Sequence, residues 1–215
     1  MSIYAIFKYI VIALGAAALT VAVILLAMGI MKKKTKMVVA GLLVGVLFPL
    51  SFVGYYMISV AQYYSLKYAD IQSFNATSAD LVDGVWDVSI SHDKGSDKSP
   101  EVTWDAIDGA SCYVVYMIDP DGNNWVHMKT VTTAPHLDAG ALGSDEYIGP
   151  YPPEGETHTY YLYIFALREE KRPVGKLDTP LNKSIDEIVS MLNTKSDSDI
   201  GNIISSVRLE GVYPG

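Results

Sequence analysis

Two long stretches near the N-terminus contain no charged residue, residues 9–31 and residues 37–66. Each exceeds the roughly 20 apolar residues that a helix needs to cross a hydrocarbon core. Both contain glycine and the second contains Pro49, residues that membrane helices accept more readily than soluble ones do. Between them lies "KKKTK", Lys32-Lys33-Lys34-Thr35-Lys36. A signal peptide followed by a buried core helix does not fit. The first run is too long for a signal sequence, and a second span follows at once. The pattern predicts a two-helix transmembrane hairpin over residues 1–62, with helices near 9–31 and 37–62 and a basic loop at 32–36.

The charges divide at the same place. Residues 1–62 hold five lysines and no acid, whereas residues 63–215 hold eleven basic and 24 acidic residues, a net charge of −13. The positive-inside rule keeps the basic loop in the cytoplasm. A two-pass plasma-membrane protein with its C-terminal domain on the extracytoplasmic side is therefore expected. An acidic domain is a poor partner for nucleic acid or for an anionic surface. Cys112 is the one cysteine. It excludes an intramolecular disulfide and, inside an apolar run, reads as a small buried hydrophobe. The scattered His and Cys spacings give no metal signature.

Residues 63–75 read as a tether, and residues 76–215 as a mostly β domain. Residues 84–90 alternate polar and apolar, as a half-buried strand does. Residues 91–100 read as a loop and 101–104 as a short strand. "ASCYVVYMI" (110–118) is β-branched, aromatic and almost wholly apolar, the pattern of a central strand buried on both faces. A Pro-Asp-Gly turn ends it. Further strands are expected at 124–134 and 159–167 and in the closing "VRLEGVYPG". Helical spacing appears at 182–192, and a second short helix is expected at 198–207.

Two stretches carry chemistry. "DPDGNNWVH" (119–127) places two carboxylates and an imidazole around a turn. "GPYPPEGETHTYYLYIFAL" (149–167) has a loop stiffened by three prolines. After it come His158 and Tyr160, which share one strand face. If the two central strands are neighbours, Asp119, His127, His158 and Tyr160 converge. Taken singly, each feature is an ordinary turn, a satisfied histidine or a rigid connection.

Together with "SPEVTW" (99–104), these stretches resemble the phosphatidylethanolamine-binding protein family, in particular its bacterial Raf kinase inhibitor-like branch. The resemblance rests on S-P-x-x-x-W, then DPD with W-x-H, then G-P-x-P-P with H-x-Y, and covers about residues 76–215. It implies a large antiparallel sheet, a smaller sheet and peripheral C-terminal helices, here preceded by two transmembrane α-helices. It also implies a ligand pocket formed by Asp119, Asp121, His127, Pro152, Pro153, His158 and Tyr160. The partner so implied is a phosphorylated or carboxylate small molecule, or a lipid head group, with no cofactor. Imidazoles donate hydrogen bonds to such oxygens, most strongly when protonated. Asp119 would orient His127 or His158, or engage an ammonium or hydroxyl of the ligand. The sequence departs from the family pattern at Thr159 (often Arg), Met128 (often Trp), Gly122-Asn123 (usually Ala-Pro) and Tyr151 (Cys in bacterial relatives). A residue as large as Tyr151 is able to narrow or close the pocket.

The expected function is that of a membrane-anchored binding module rather than an enzyme. The motifs offer no placed Ser or Cys nucleophile and no Gly-rich phosphate loop. The alternatives are an extracytoplasmic protein-interaction or inhibitor domain with a vestigial pocket, and, less favoured, a hydrolase.

Overall fold

The computed structural model describes residues 3–63 and 66–215, so residues 64 and 65 of the expected tether lie outside the described residues. The chain divides into a helical unit through residue 65 and a β-rich unit from Leu66 onward, apart from the turn Asp197–Asp199.

The helical unit is α1 (Ile3–Met31) and α2 (Thr35–Tyr63), joined at the lysine loop. Small residues let the two helices approach closely. A Cβ added at Gly41 would lie 2.8 Å from Leu26 Cγ and 3.0 Å from the Ala22 carbonyl oxygen; one at Gly45 would lie 3.2 Å from Ala22 Cβ. The outward faces carry exposed Leu, Ile and Val side chains, including Leu19, Ile24, Leu43 and Leu47. Among the described residues one helical stretch, Ile12–Met31, is long and apolar enough to cross a membrane or to serve as a signal sequence; Thr35–Leu47 is apolar but shorter.

The β unit contains β1 (Ala76–Thr77), β2 (Leu81–Val82), β3 (Val85–Trp86), β4 (Val102–Trp104), β5 (Cys112–Asp119), β6 (Trp125–Thr132), β7 (His136–Leu137), β8 (Thr157–Leu167), α3 (Ile185–Leu192) and β9 (Ile203–Pro214). A six-stranded sheet runs β2-β3-β9-β8-β5-β6, and a three-stranded sheet runs β1-β4-β7. Neighbours are antiparallel except β3 and β9, which are parallel. The expected mostly β architecture of two sheets with a helix near the C-terminus is thus present.

β5 is buried on both faces because both of its side-chain rows are apolar. Tyr113, Val115 and Met117 pack with Val102, Trp104 and Leu137 from the small sheet. Val114, Tyr116 and Ile118 pack with Ile188, Val189 and Leu192 of α3. Cys112 is buried and free, as its apolar context implies. α3 starts in a capping box, with Ser184 accepting from the Glu187 N–H and Glu187 accepting from the Ser184 N–H.

Two local expectations fail. The half-buried strand expected at 84–90 is only Val85–Trp86, followed by a 3₁₀ turn at Val88–Ile90 that Asp87 caps by accepting from the Ser89 N–H. The helix expected at 198–207 is instead a turn and the start of β9. Gly201 has a positive φ of 96°, which breaks a helix there, and Asn193 accepts from the backbone N–H groups of Gly201 and Ile203. The β-branched Ile203, Ile204 and Val207 then extend the sheet. The C-terminal side thus carries one helix rather than two. From Leu66 the chain packs on the β domain: Leu66, Tyr68 and Ile71 lie against the α3-side core.

One close approach is tightly specified. Gly211 lies opposite Tyr160 in β8, where a Cβ would sit 2.4 Å from Leu81 Cδ1 and 2.7 Å from the indole nitrogen of buried Trp86. Gly211→Ala should therefore overpack this corner and cost about 1–3 kcal/mol. Urea unfolding of the detergent-solubilised chain, followed by near-UV circular dichroism, reads the loss; an unchanged midpoint would refute the packing argument.

Candidate functional site

Three strand ends meet at one edge of the large sheet. β5 ends at Asp119, β6 begins at Trp125, and β8 begins at Thr157. Met117 pairs with Leu162 in β8 and with Met128 in β6, so all three rows share one face. Along β8 that face carries Leu162, Tyr160 and His158; along β5 it carries Met117 and Asp119.

β6 reaches the site by an irregularity. Met117 pairs with Met128, but the next residue, Ile118, pairs with Val126. His127 is therefore the extra residue of a β-bulge. Regular alternation would put Trp125 and His127 on the face opposite Met128. The bulge instead pairs Trp125 with Asp119 and brings both side chains to the site face, a common use of bulges beside functional sites.

These residues enclose a cavity of about 260 Å³ lined by Asp119, Gly122, Trp125, His127, Tyr151, Pro152, Pro153, His158 and Tyr160. Six of the seven residues expected to form a pocket line it. Asp121 does not. It is exposed, and its carboxylate accepts the Thr159 N–H at 2.8 Å, which anchors the start of β8 to the turn.

Asp119 is buried and fully engaged. Oδ1 accepts the Gly122 N–H at 2.9 Å, closing the turn, and Oδ2 accepts the His158 Nδ1–H at 2.6 Å. The second ring nitrogen of His158 donates to Glu156 at 3.2 Å. A carboxylate at each nitrogen favours the imidazolium form of the ring. Burial opposes its charge, but the hydrogen bonds to Asp119 and Glu156 and the charges of Asp119 and Asp121 outweigh that and raise its pKa.

His127 is in the opposite state. Its Nδ1 lies 3.1 Å from the carbonyl oxygens of both Ile148 and Gly149. Carbonyls only accept, so Nδ1 carries the proton. In the neutral ring Nε2 is then an acceptor, and it has no protein partner among the described residues. Burial lowers the pKa, against the two carbonyls and Asp119, which favour protonation. The expectation that both imidazoles donate to a ligand thus does not fit this geometry: the neutral His127 ring offers a lone pair, and both nitrogens of His158 are occupied.

Tyr160 is wholly buried, and its hydroxyl has no hydrogen-bond partner among the described residues. Burial raises its pKa, as does the charge of Asp119, with partial relief from the nearby Tyr151 N–H. Its ring meets His127 edge-on, with centroids 5.1 Å apart.

Tyr151 narrows the cavity without closing it. Its hydroxyl donates to Asp178, which also accepts the Trp125 indole N–H at 3.1 Å. Burial and the Asp178 charge push the Tyr151 pKa up to about 12. The clamp spans the proline loop, the start of β6 and the segment after β8. Trp125 and Asp178 were not foreseen. The W-x-H spacing offered a signal for Trp125, but none in the sequence places Asp178, which is brought in where Val126 exchanges backbone hydrogen bonds with Asp178 and Thr179. The loop itself is held by Gly149, where a Cβ would lie 2.1 Å from the Ile90 carbonyl oxygen and whose N–H donates to Asp97 at 2.6 Å.

The two histidines titrate with opposite consequences. His158 holds its proton more tightly folded than unfolded. Its contribution to stability is complete below about pH 6.5 and is lost as pH rises through its raised pKa. The folded pKa of His127 is depressed. Its contribution is complete above about pH 6.5 and is lost as pH falls below that value. Ring ¹⁵N NMR of the full chain should show His127 neutral and Nδ1-protonated at a pH where His158 is doubly protonated. The reverse order of titration would contradict the hydrogen-bond assignment.

The crystal structure of E. coli YbcL, described as a new member of the mammalian PEBP family, is similar to this fold. Its TM-score is 0.51 at 22% identity, covering 66% of this chain and 99% of that one. The crystal structure of a putative phosphatidylethanolamine-binding protein homologue from Chlamydia trachomatis has a TM-score of 0.49 at 22% identity, covering 67% of this chain and 99% of that one. No curated protein sequence matches the chain. The family model described as phosphatidylethanolamine-binding protein matches residues 75–201. That match spans more than half of the sequence and contains all three motifs, two of which supply the cavity lining, so the chain belongs to the phosphatidylethanolamine-binding protein family.

Proposed function

We propose that the protein is a membrane-anchored binding module whose β domain takes a phospholipid head group, or a small phosphoryl or carboxylate compound, in the cavity between β5, β6 and β8. One observation carries this reading. Tyr160 lines that cavity, and its buried hydroxyl, beside the Tyr151 N–H, makes no full hydrogen bond among the described residues. An unpaired buried hydroxyl costs about 1–3 kcal/mol, and a ligand that meets it recovers that cost.

The reading is binding without turnover. The cavity lining contains no Ser, Thr, Cys or Lys, and the acid–base pair Asp119 and His158 is committed to mutual hydrogen bonds. Anchoring is supported by the apolar exterior of the α1–α2 hairpin and the length of Ile12–Met31. With both helices in the plasma membrane, the lysine loop faces the cytoplasm and the β domain the extracytoplasmic side. The anchor raises the effective concentration of head groups at the cavity. A second reading, a protein-interaction domain, is favoured by the exposed Val82, Val85 and Val88 along the β2–β3 edge.

Tyr160→Phe keeps the ring and deletes the hydroxyl. Its thermal stability should equal or exceed that of the wild type, because an orphan is removed. Its affinity for phosphoethanolamine should fall about tenfold, the worth of one hydrogen bond of roughly 1.4 kcal/mol. Calorimetry on the detergent-solubilised chain measures both, and unaltered affinity would defeat the head-group reading.

A further inference from the structure

We propose that the uncovered part of the large sheet's outer face is a docking surface for the bilayer, which holds the β domain against a layer of zwitterionic phospholipid. This rests on the membrane-anchor reading above and specifies which surface of the domain meets the lipid.

The inner face of the large sheet packs on the small sheet. The outer face is covered only in part. α3 lies over Val114, Tyr116 and Ile118 of β5, and Tyr68 meets Tyr163 of β8 edge-on, with centroids 5.3 Å apart. The strand register places what remains. Val85 of β3 pairs with Val82 in β2 and with Val212 in β9, and Val212 pairs with Thr159 in β8. Cross-strand partners share a face, so three valines form one row at the sheet edge. Two residues along β9, Glu210 pairs with Tyr161 on the same face, and the Arg208 guanidinium lies 4.3 Å from the Tyr161 ring centroid. Val82 is 61% exposed and Val85 45%. Val88 joins them in a depression of about 440 Å³ that Pro214 also lines. Exposed apolar patches of this kind mark contact with a partner or a membrane.

Two observations name lipid as the occupant. The first is the path of the chain. Leu66 is three residues beyond Tyr63, the end of α2, and Leu66, Tyr68 and Ile71 pack on this same outer face. The chain thus joins the β domain on the face whose remainder carries the valines. The second is chemistry. Aliphatic side chains flanked by a tyrosine and an arginine suit the boundary between acyl chains and head groups, where Tyr rings settle and Arg extends its charge into the polar layer. The charges beside the row nearly cancel: Arg208 and Lys94 stand against Glu210, Asp87 and Asp83. On a domain of net charge −13 this is a surface of low charge. A zwitterionic layer accepts it, and an anionic layer adds no attraction.

The anchor makes a small patch sufficient, because tethering turns docking into an intramolecular step at high effective concentration. The valine row ends at Thr159, next to the cavity residue His158. Docking therefore keeps the rim of the cavity beside the lipid layer.

The test uses the full chain in phosphatidylcholine nanodiscs. Val85→Cys and Thr103→Cys, the latter exposed on the small sheet, each carry a nitroxide; the wild-type chain, whose Cys112 is buried, is the labelling blank. Spin relaxation is measured with oxygen, which concentrates in lipid, and with a nickel chelate, which stays in water. The oxygen-to-nickel ratio should be severalfold higher at position 85 than at position 103. In the unsubstituted chain, a lipid with a nitroxide head group should broaden the methyl signals of Val82, Val85 and Val212 and leave those of Val102, in the small sheet, sharp. Equal ratios, or equal broadening, with the chain seated in the disc would overturn the docking surface and leave the anchor reading standing. A label at position 85 that is immobile yet open to nickel would also overturn it, in favour of a protein on this face. A chain that does not enter the disc would overturn both.

Discussion

The site depends on one buried carboxylate. Asp119 sits at the last position of a strand that is buried on both faces, where an ionised group survives only with partners. Its two oxygens take the Gly122 N–H and the His158 Nδ1–H. The first bond shapes the turn that follows β5, and the second fixes the start of β8 against the end of β5. Asp121 repeats the arrangement from the far side of the turn by accepting the Thr159 N–H. The DPD turn and the H-x-Y strand start, nearly forty residues apart, are thus two halves of one hydrogen-bonded corner. Losing Asp119 would free the turn, leave an imidazole that has lost one of its two carboxylate partners and loosen the cavity wall together.

That corner was largely legible in the sequence, because its parts are local. The almost wholly apolar 110–118 stretch reads as a doubly buried strand, and its neighbour β8 is similarly β-branched and aromatic over most of its length. Strand alternation put His158 and Tyr160 on one face. What stayed hidden depends on non-local pairing. The bulge at His127 carries no Gly or Pro marker, and it alone turns Trp125 and His127 toward the cavity. The proton on His127 Nδ1 is set by carbonyls of Ile148 and Gly149, contributed by a distant loop. Asp178 lies in an irregular segment whose place is fixed only by its ladder with Val126. The region 198–207 misled for a related reason: Ile and Val at mixed spacing fit a helix locally, and pairing with β8 decided for strand.

In the helical unit the sequence and the packing speak to different questions. The near-absence of charge shows what surroundings the helices tolerate. The glycines show how they meet: Gly41 and Gly45, one turn apart, are used to seat α2 against Ala22 and Leu26 of α1. The GLLVG spacing, readable in isolation as a contact between chains, is occupied within one chain.

The departures from the family pattern acquire a common sense in the folded site. Thr159 stands where relatives often carry Arg, and Tyr151 where bacterial relatives carry Cys. The first leaves Asp121 opposite a backbone N–H alone and removes a cation from the entrance. The second adds an aromatic wall and ties it to a further carboxylate, Asp178. The first lowers the electrostatic potential at the entrance, and the second enlarges the π-surface of the cavity. Neither touches the Asp119–His158 corner that holds the strands in place. The corner that holds the strands and the positions that depart from the family pattern are therefore different residues, and the second set is free to change while the first is kept.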